Sequence, residues 1–234
     1  MGWLPASPAA IARPPRPQHH EAAPPSPEQV SALINAAWAS SPDFGTLLWL
    51  AVVTGARRGR LCALRWPSIR FAERDLFVAR NLITRGGERQ EKDTKTHQSR
   101  RLALDDATVA VLAEHRDRCG ERAAACGVPL LADGYVFSAQ PDGSAPLLPD
   151  SVTQRFRRLA HRVGVPAHLH QLRHYSATQL LAAGVDLRTV AGRLGHGGGG
   201  ATTLRVYAAF LAASDRRAAE LLGGSLRRPS AGDA

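Results

Sequence analysis

Acidic residues are scarce in this 234-residue chain: 20 Asp and Glu stand against 30 Lys and Arg, for a formal net charge of +10. Long apolar runs are missing too. The longest, Leu47 to Val53, is far short of the roughly 20 residues that cross a bilayer, so no membrane helix and no membrane partner is expected. Pro5, Pro8, Pro14 and Pro15 interrupt the start where a secretory signal needs a continuous apolar segment, and a cytoplasmic address is the expectation. Cysteine is rare. Cys62, Cys119 and Cys126 are odd in number and form no C-x-x-C pair, which supports neither a disulfide framework nor a cysteine zinc site, and points to reduced, mostly buried thiols. Nor is there a carboxylate cluster suited to Mg²⁺: Asp105-Asp106 reads as a helix cap and Asp93 stands among basic residues, so no metal and no cofactor is expected.

What is present is a chain 44% hydrophobic and 21% charged, enough to bury a core in one or two domains. The positive excess favours a polyanionic partner, nucleic acid first, although a GC-rich coding sequence would give the same arginine surplus. Motifs must decide.

Eight of the 16 prolines fall within the first 27 residues, and residues 1–25 read as an extended linker because proline lacks the amide donor of helix and sheet. Ser26-Pro27-Glu28-Gln29 then supplies an N-cap, a proline at the first helical position and a Gln three residues on, ahead of Val30, Leu33, Ile34 and Trp38 at helical spacing. Helices follow over about 43–53, ending at Gly55, and 58–64. Short β-prone runs at Leu76-Phe77-Val78, Asn81 to Thr84 and Arg101 to Leu104 predict a small three-stranded antiparallel sheet. Helices are then expected over 106–125, 151–163 capped by Asp150, 170–183, 186–194, 201–211 and 214–222, with a short strand at Tyr135-Val136-Phe137. The predicted fold is α+β and predominantly helical.

His170-Gln171-Leu172-Arg173-His174 opens a helix, so His170 and Arg173 share a face near its amino end, where free N–H groups and an arginine fork suit a phosphate. H-x-x-R alone is more often a solvated helix start. Leu194-Gly195-His196 ends another helix, four glycines at 197–200 make a pliant loop, and Tyr207 lies just beyond. A tyrosine near a His and an Arg can attack phosphorus, since its phenolate forms a stable phosphodiester link and leaves well later. Standing alone, Tyr207 would read as a half-buried core tyrosine.

Thr54-Gly55-Ala56-Arg57 with Leu61, Leu64 and Trp66, then His170 to His174, then Leu194-Gly195-His196, and Tyr207 after Thr202-Thr203-Leu204, together resemble the tyrosine recombinase, or phage integrase, family over about residues 27–211. The resemblance implies a catalytic domain over 26–223 with a disordered tail, 224–234. It implies Arg57 as first catalytic arginine, His170 and Arg173 as the central pair, His196 as the third-motif histidine, Tyr207 as nucleophile and Lys95 as the hairpin lysine, with Lys92 its competitor. It further implies site-specific cleavage and rejoining of double-stranded DNA through a 3′-phosphotyrosyl intermediate, without metal or small-molecule substrate, by a homo-oligomer, a tetramer on DNA.

Two features depart from the family pattern. Arg60 stands where the family commonly carries a glutamate, which removes a partner for neighbouring cations and is expected to loosen that helix. The amino-terminal helical domain that usually completes a clamp on DNA is replaced by the linker, with Trp3 and Leu4 as a remnant of its last helix. Two other functions fit the same residues: a truncated DNA-binding remnant without recombination, and type IB topoisomerase-like nicking and relaxation.

Overall fold

The computed structural model describes residues 24–85, 88–93 and 99–195. The first helix, α1 (Pro27–Ser40), starts as its sequence dictates: Gln29 N–H donates to Ser26 Oγ, and Ser26 N–H donates back to Gln29 Oε1 at 2.9 Å. Its buried face is Val30, Leu33, Ile34 and Ala37. Helix α2 (Pro42–Thr54), capped by Ser41, is apolar on nearly every side and therefore central: Leu47, Leu48 and Leu50 have no exposed surface. It packs against α1, against α3 (Arg58–Cys62), and against the later helices α4 (Asp106–Ala125) and α6 (Leu169–Ala182). Helix α3 is shorter than the 58–64 expected, because the chain turns at Ala63 and enters a 3₁₀ turn at Trp66–Ser68. Leu61 and Leu64 face the core as expected.

The β region differs from a single three-stranded sheet of the expected strands. Among the described residues five strands form, β1 (Ile69–Arg70), β2 (Asp75–Val78), β3 (Arg80–Arg85), β4 (Glu88–Asp93) and β5 (Arg100–Ala103). A three-stranded antiparallel sheet has the order β1-β2-β5, while among the described residues β3 and β4 pair with each other as a separate hairpin. The expected third partner, Asn81 to Thr84, thus belongs to the hairpin, and the two-residue strand Ile69–Arg70 takes its place. Arg70 bonds Asp75 directly across that pair.

Asp105 caps α4 through Thr108 N–H, as the sequence indicated. Tyr135-Val136-Phe137 is not a full strand: Tyr135 bridges Arg65 alone, and Val136 N–H donates to Leu64 O at 2.8 Å, which seats Val136 and Phe137 in the core. Helix α5 (Pro149–Val163) begins before Asp150, with Leu148 as its N-cap residue. Asp150 is not the cap; its carboxylate faces Arg58 of α3 at 3.3 Å. Helices α6 and α7 (Leu187–Leu194) complete the described fold, α7 capped by Asp186 and ended by Gly195 at φ 68°. Gly164 ends α5 in the same left-handed conformation. The expected helices near 201–211 and 214–222, the tail and the linker up to residue 23 lie outside the described residues.

Candidate active site

The turn after α2 is built by Thr54-Gly55-Ala56-Arg57. Thr54 Oγ1 donates to Leu50 O at 2.5 Å and accepts from Ala56 N–H at 3.1 Å, closing the helix end with its own side chain. Gly55 takes φ 57°, and a methyl group there would run into Leu194 Cδ2 of α7. Arg57 follows as the N-cap residue of α3, with its side chain exposed.

Arg173, on the first turns of α6, is buried at 4% exposure and reaches back into this turn. Its Nη1 donates to Gly55 O and to Leu194 O, both at 2.5 Å. One guanidinium thereby ties the turn that carries Arg57 to the end of α7, two residues before His196. Ser176, one turn further along α6, lies with its Oγ 2.6 Å from Val52 O and fastens the same helix to α2. These bonds are charge-assisted or buried, and they hold the arrangement without a ligand.

His170 projects from the same end of α6, its ring 4.8 Å from that of His174 in edge-to-face contact. Partial burial, His174, and the cationic Arg173 and Arg57 together pull His170 down to about 4. It is exposed on one side and neutral near pH 7, able to accept a proton. A cleft of about 280 Å³ has Arg57, His170 and Arg173 in its wall together with Arg58, Thr153 and His168. Three of the six sequence-derived candidates, 113 or more positions apart between Arg57 and the pair, meet there. A larger hollow of about 590 Å³, beside Arg65 and Arg80, touches none of the three.

Lys95, His196 and Tyr207 lie outside the described residues. Lys92 is on β4, its backbone opposite Asn81 of β3. Among the described residues no group of three or more His, Cys, Asp or Glu is gathered as a metal site would require. Sequence reasoning missed a second basic group beside the cleft: Arg60 of α3, Arg100 of β5 and Arg193 of α7. Arg193 is tied to Val53 O at 3.0 Å and faces Ala103 O, so it seats α7 on α2 and β5. The only hint in the sequence was Arg60 itself, at the position where an acid was expected.

A mainly helical body with small antiparallel sheets is the architecture this chain shares with its structural neighbours, which are tyrosine recombinase catalytic domains. The chain belongs to the phage integrase family, whose family model matches residues 26–213. It is 33% identical over 164 residues to the tyrosine recombinase XerC-like protein of Caldanaerobacter subterraneus subsp. tengcongensis, covering 64% of this chain and 41% of that protein. The ICEBs1 integrase of Bacillus subtilis is 26% identical over 166 residues, 70% of this chain and 44% of its own. The chain thus spans less than half the length of these curated relatives. Among solved structures, the Tn1549 transposon integrase in complex with a circular intermediate DNA superposes with a TM-score of 0.70 at 19% identity, covering 86% of this chain and 67% of that one. The XerA recombinase superposes at 0.61 with 24% identity, over 81% and 61%.

Proposed function

We propose that this chain cleaves and rejoins double-stranded DNA strands site-specifically, through a 3′-phosphotyrosyl intermediate on Tyr207, and that it works as a homo-oligomer, a tetramer, on DNA. The observation that carries the reading is the convergence of Arg57, His170 and Arg173 on one cleft, with Arg173 held in place by two backbone carbonyls. Family membership supports it independently.

The chemistry follows from charge. Attack of the Tyr207 hydroxyl oxygen on phosphorus forms the P–O(Tyr) bond and breaks the bond to the 5′-oxygen, with excess negative charge on the non-bridging oxygens between. Arg57 and Arg173 are the donors for those oxygens, and His196 is a third. Each fixed donor of this kind contributes about 2–4 kcal/mol to the transition state. Neutral His170 takes or orients the phenolic proton, and Lys95 delivers a proton to the departing 5′-oxygen. With cationic side chains supplying the positive charge, this route needs no metal. The preorganised Arg173 costs no rearrangement when the charge develops, which is the condition under which such donors are most effective.

The test is incubation with nicked suicide duplexes covering the DNA that flanks the gene, followed by denaturing electrophoresis. A covalent protein–DNA band that is absent in Tyr207→Phe is the expected result. Binding and retardation without any such band would favour the DNA-binding remnant instead.

A further inference from the structure

Beside the cleft, the half-buried Arg100 has its guanidinium shielded in a way its neighbours do not justify. All three guanidinium nitrogens are out of contact with water and have no hydrogen-bond partner, and Arg60 Nη1 shares that condition. Among the described residues neither arginine has a carboxylate within ion-pair distance. What surrounds Arg100 is more positive charge: Arg60, Arg173, Arg57 and Arg193. Burial and these four cations pull Arg100 down to about 9, so it still carries its charge at neutral pH. Gly195 makes the room. A methyl group at that position would collide with Arg100 Nη1 and come within 2.8 Å of Arg60 Nη1, so both forks converge over one glycine, directly before His196.

A buried, unpaired guanidinium destabilises a fold unless something pairs it, and a second arginine beside it adds repulsion. Two planar forks converging over one glycine and shielded from water match the oxygens of a phosphate, and in such surroundings each bond is stronger than in water. We propose that Arg100 and Arg60 form a further phosphate-binding site, contiguous with the Arg57–Arg173 cleft, which receives a phosphate of the DNA backbone. The site rests on the reading of DNA as substrate and extends it to two residues that reading did not use.

Thermal melting of the full chain in inorganic phosphate, against chloride at equal ionic strength, tests the anion site directly. Wild type should melt higher in phosphate. Arg100→Met should melt higher than wild type in chloride, because the unpaired charge is gone, and should lose most of the phosphate increment. If the methionine variant does not fold, Arg100→Lys decides: a point charge in place of the fork should keep less than half the increment. Binding to a short duplex of arbitrary sequence, measured against salt, separates DNA from free anion. Loss of Arg100 should weaken binding about 3–10-fold and reduce the salt slope by about one. An unchanged phosphate increment in the variant, or a lost increment with DNA affinity and slope unaltered, would overturn the proposal. The Tyr207 adduct, measured on the same preparations, reports on strand transfer separately: an Arg100 effect with no adduct keeps the site and rejects the recombinase reading, whereas an adduct with no Arg100 effect does the reverse.

Discussion

At the scale of single residues, Arg173 has two functions that mutation can separate. The proposed reaction uses it as a donor for the attacked phosphate, and the fold uses it as the clasp between Gly55 O and Leu194 O. Arg173→Ala should abolish covalent adduct formation, leave DNA affinity within about tenfold, and lower unfolding free energy by about 3 kcal/mol, since two buried carbonyls lose a charged donor. Urea midpoints read the last effect. Arg173→Lys should recover part of the stability but not the cleavage, because the planar fork is missing. Away from the cleft, His115 sits in the core with Nδ1 3.1 Å from Asp43 and Nε2 2.8 Å from Val136 O. Burial opposes its charge, but Asp43, Cys119 and the Val136 carbonyl outweigh that and push it up to about 9. Asp43 itself is lowered against its own burial by His115 and Arg122. The raised histidine stabilises the fold fully below its unfolded value of about 6.5, and that contribution is lost as pH rises through about 9. The lowered aspartate contributes above its unfolded value of about 3.9 and loses its contribution as pH falls below it. Stability should therefore peak between about pH 4 and 6.5, and Asp43→Asn should flatten the decline between pH 6.5 and 9 in denaturation curves.

At the scale of elements, the end of α2 meets α7 closely where Gly55 faces the Leu194 side chain. Gly55→Ala places a methyl group into Leu194 and imposes a left-handed conformation on a residue with a Cβ, so it should cost about 2–4 kcal/mol and slow cleavage with it. Asp150→Ala should cost under about 1 kcal/mol, because its pair with Arg58 joins two exposed side chains. Chemical denaturation of both variants side by side checks the contrast. The same elements show what could be read beforehand. Helix starts at Ser26 and Asp105 were legible because capping is local chemistry between residues two or three apart. The cleft residues were legible as ordered motifs. The division of the strands was not: nothing within Asn81 to Thr84 says that β3 pairs with β4 and leaves β2 to Ile69 and Leu102. Asp150 misled for the opposite reason, as a good cap residue recruited by a distant arginine. The convergence of Arg60 and Arg100 was invisible because it arises only when α3, β5 and the end of α7 meet.

At the scale of the whole molecule, the excess of cations gives a field that no single contact provides. DNA affinity should fall linearly on a log–log plot against salt, by about 0.9 per phosphate neutralised, and a flat response would remove nucleic acid as the partner. The central claim is that the cleft of Arg57, His170 and Arg173 serves a phosphoryl transfer to Tyr207. Digestion of the suicide-substrate complex followed by mass spectrometry reads that claim directly. The account predicts a nucleotide linked through its 3′-phosphate to the peptide containing Tyr207, in wild type but not in Arg57→Ala or Arg173→Ala. A nucleotide on a different residue, or an adduct of undiminished yield in the two arginine variants, would contradict it.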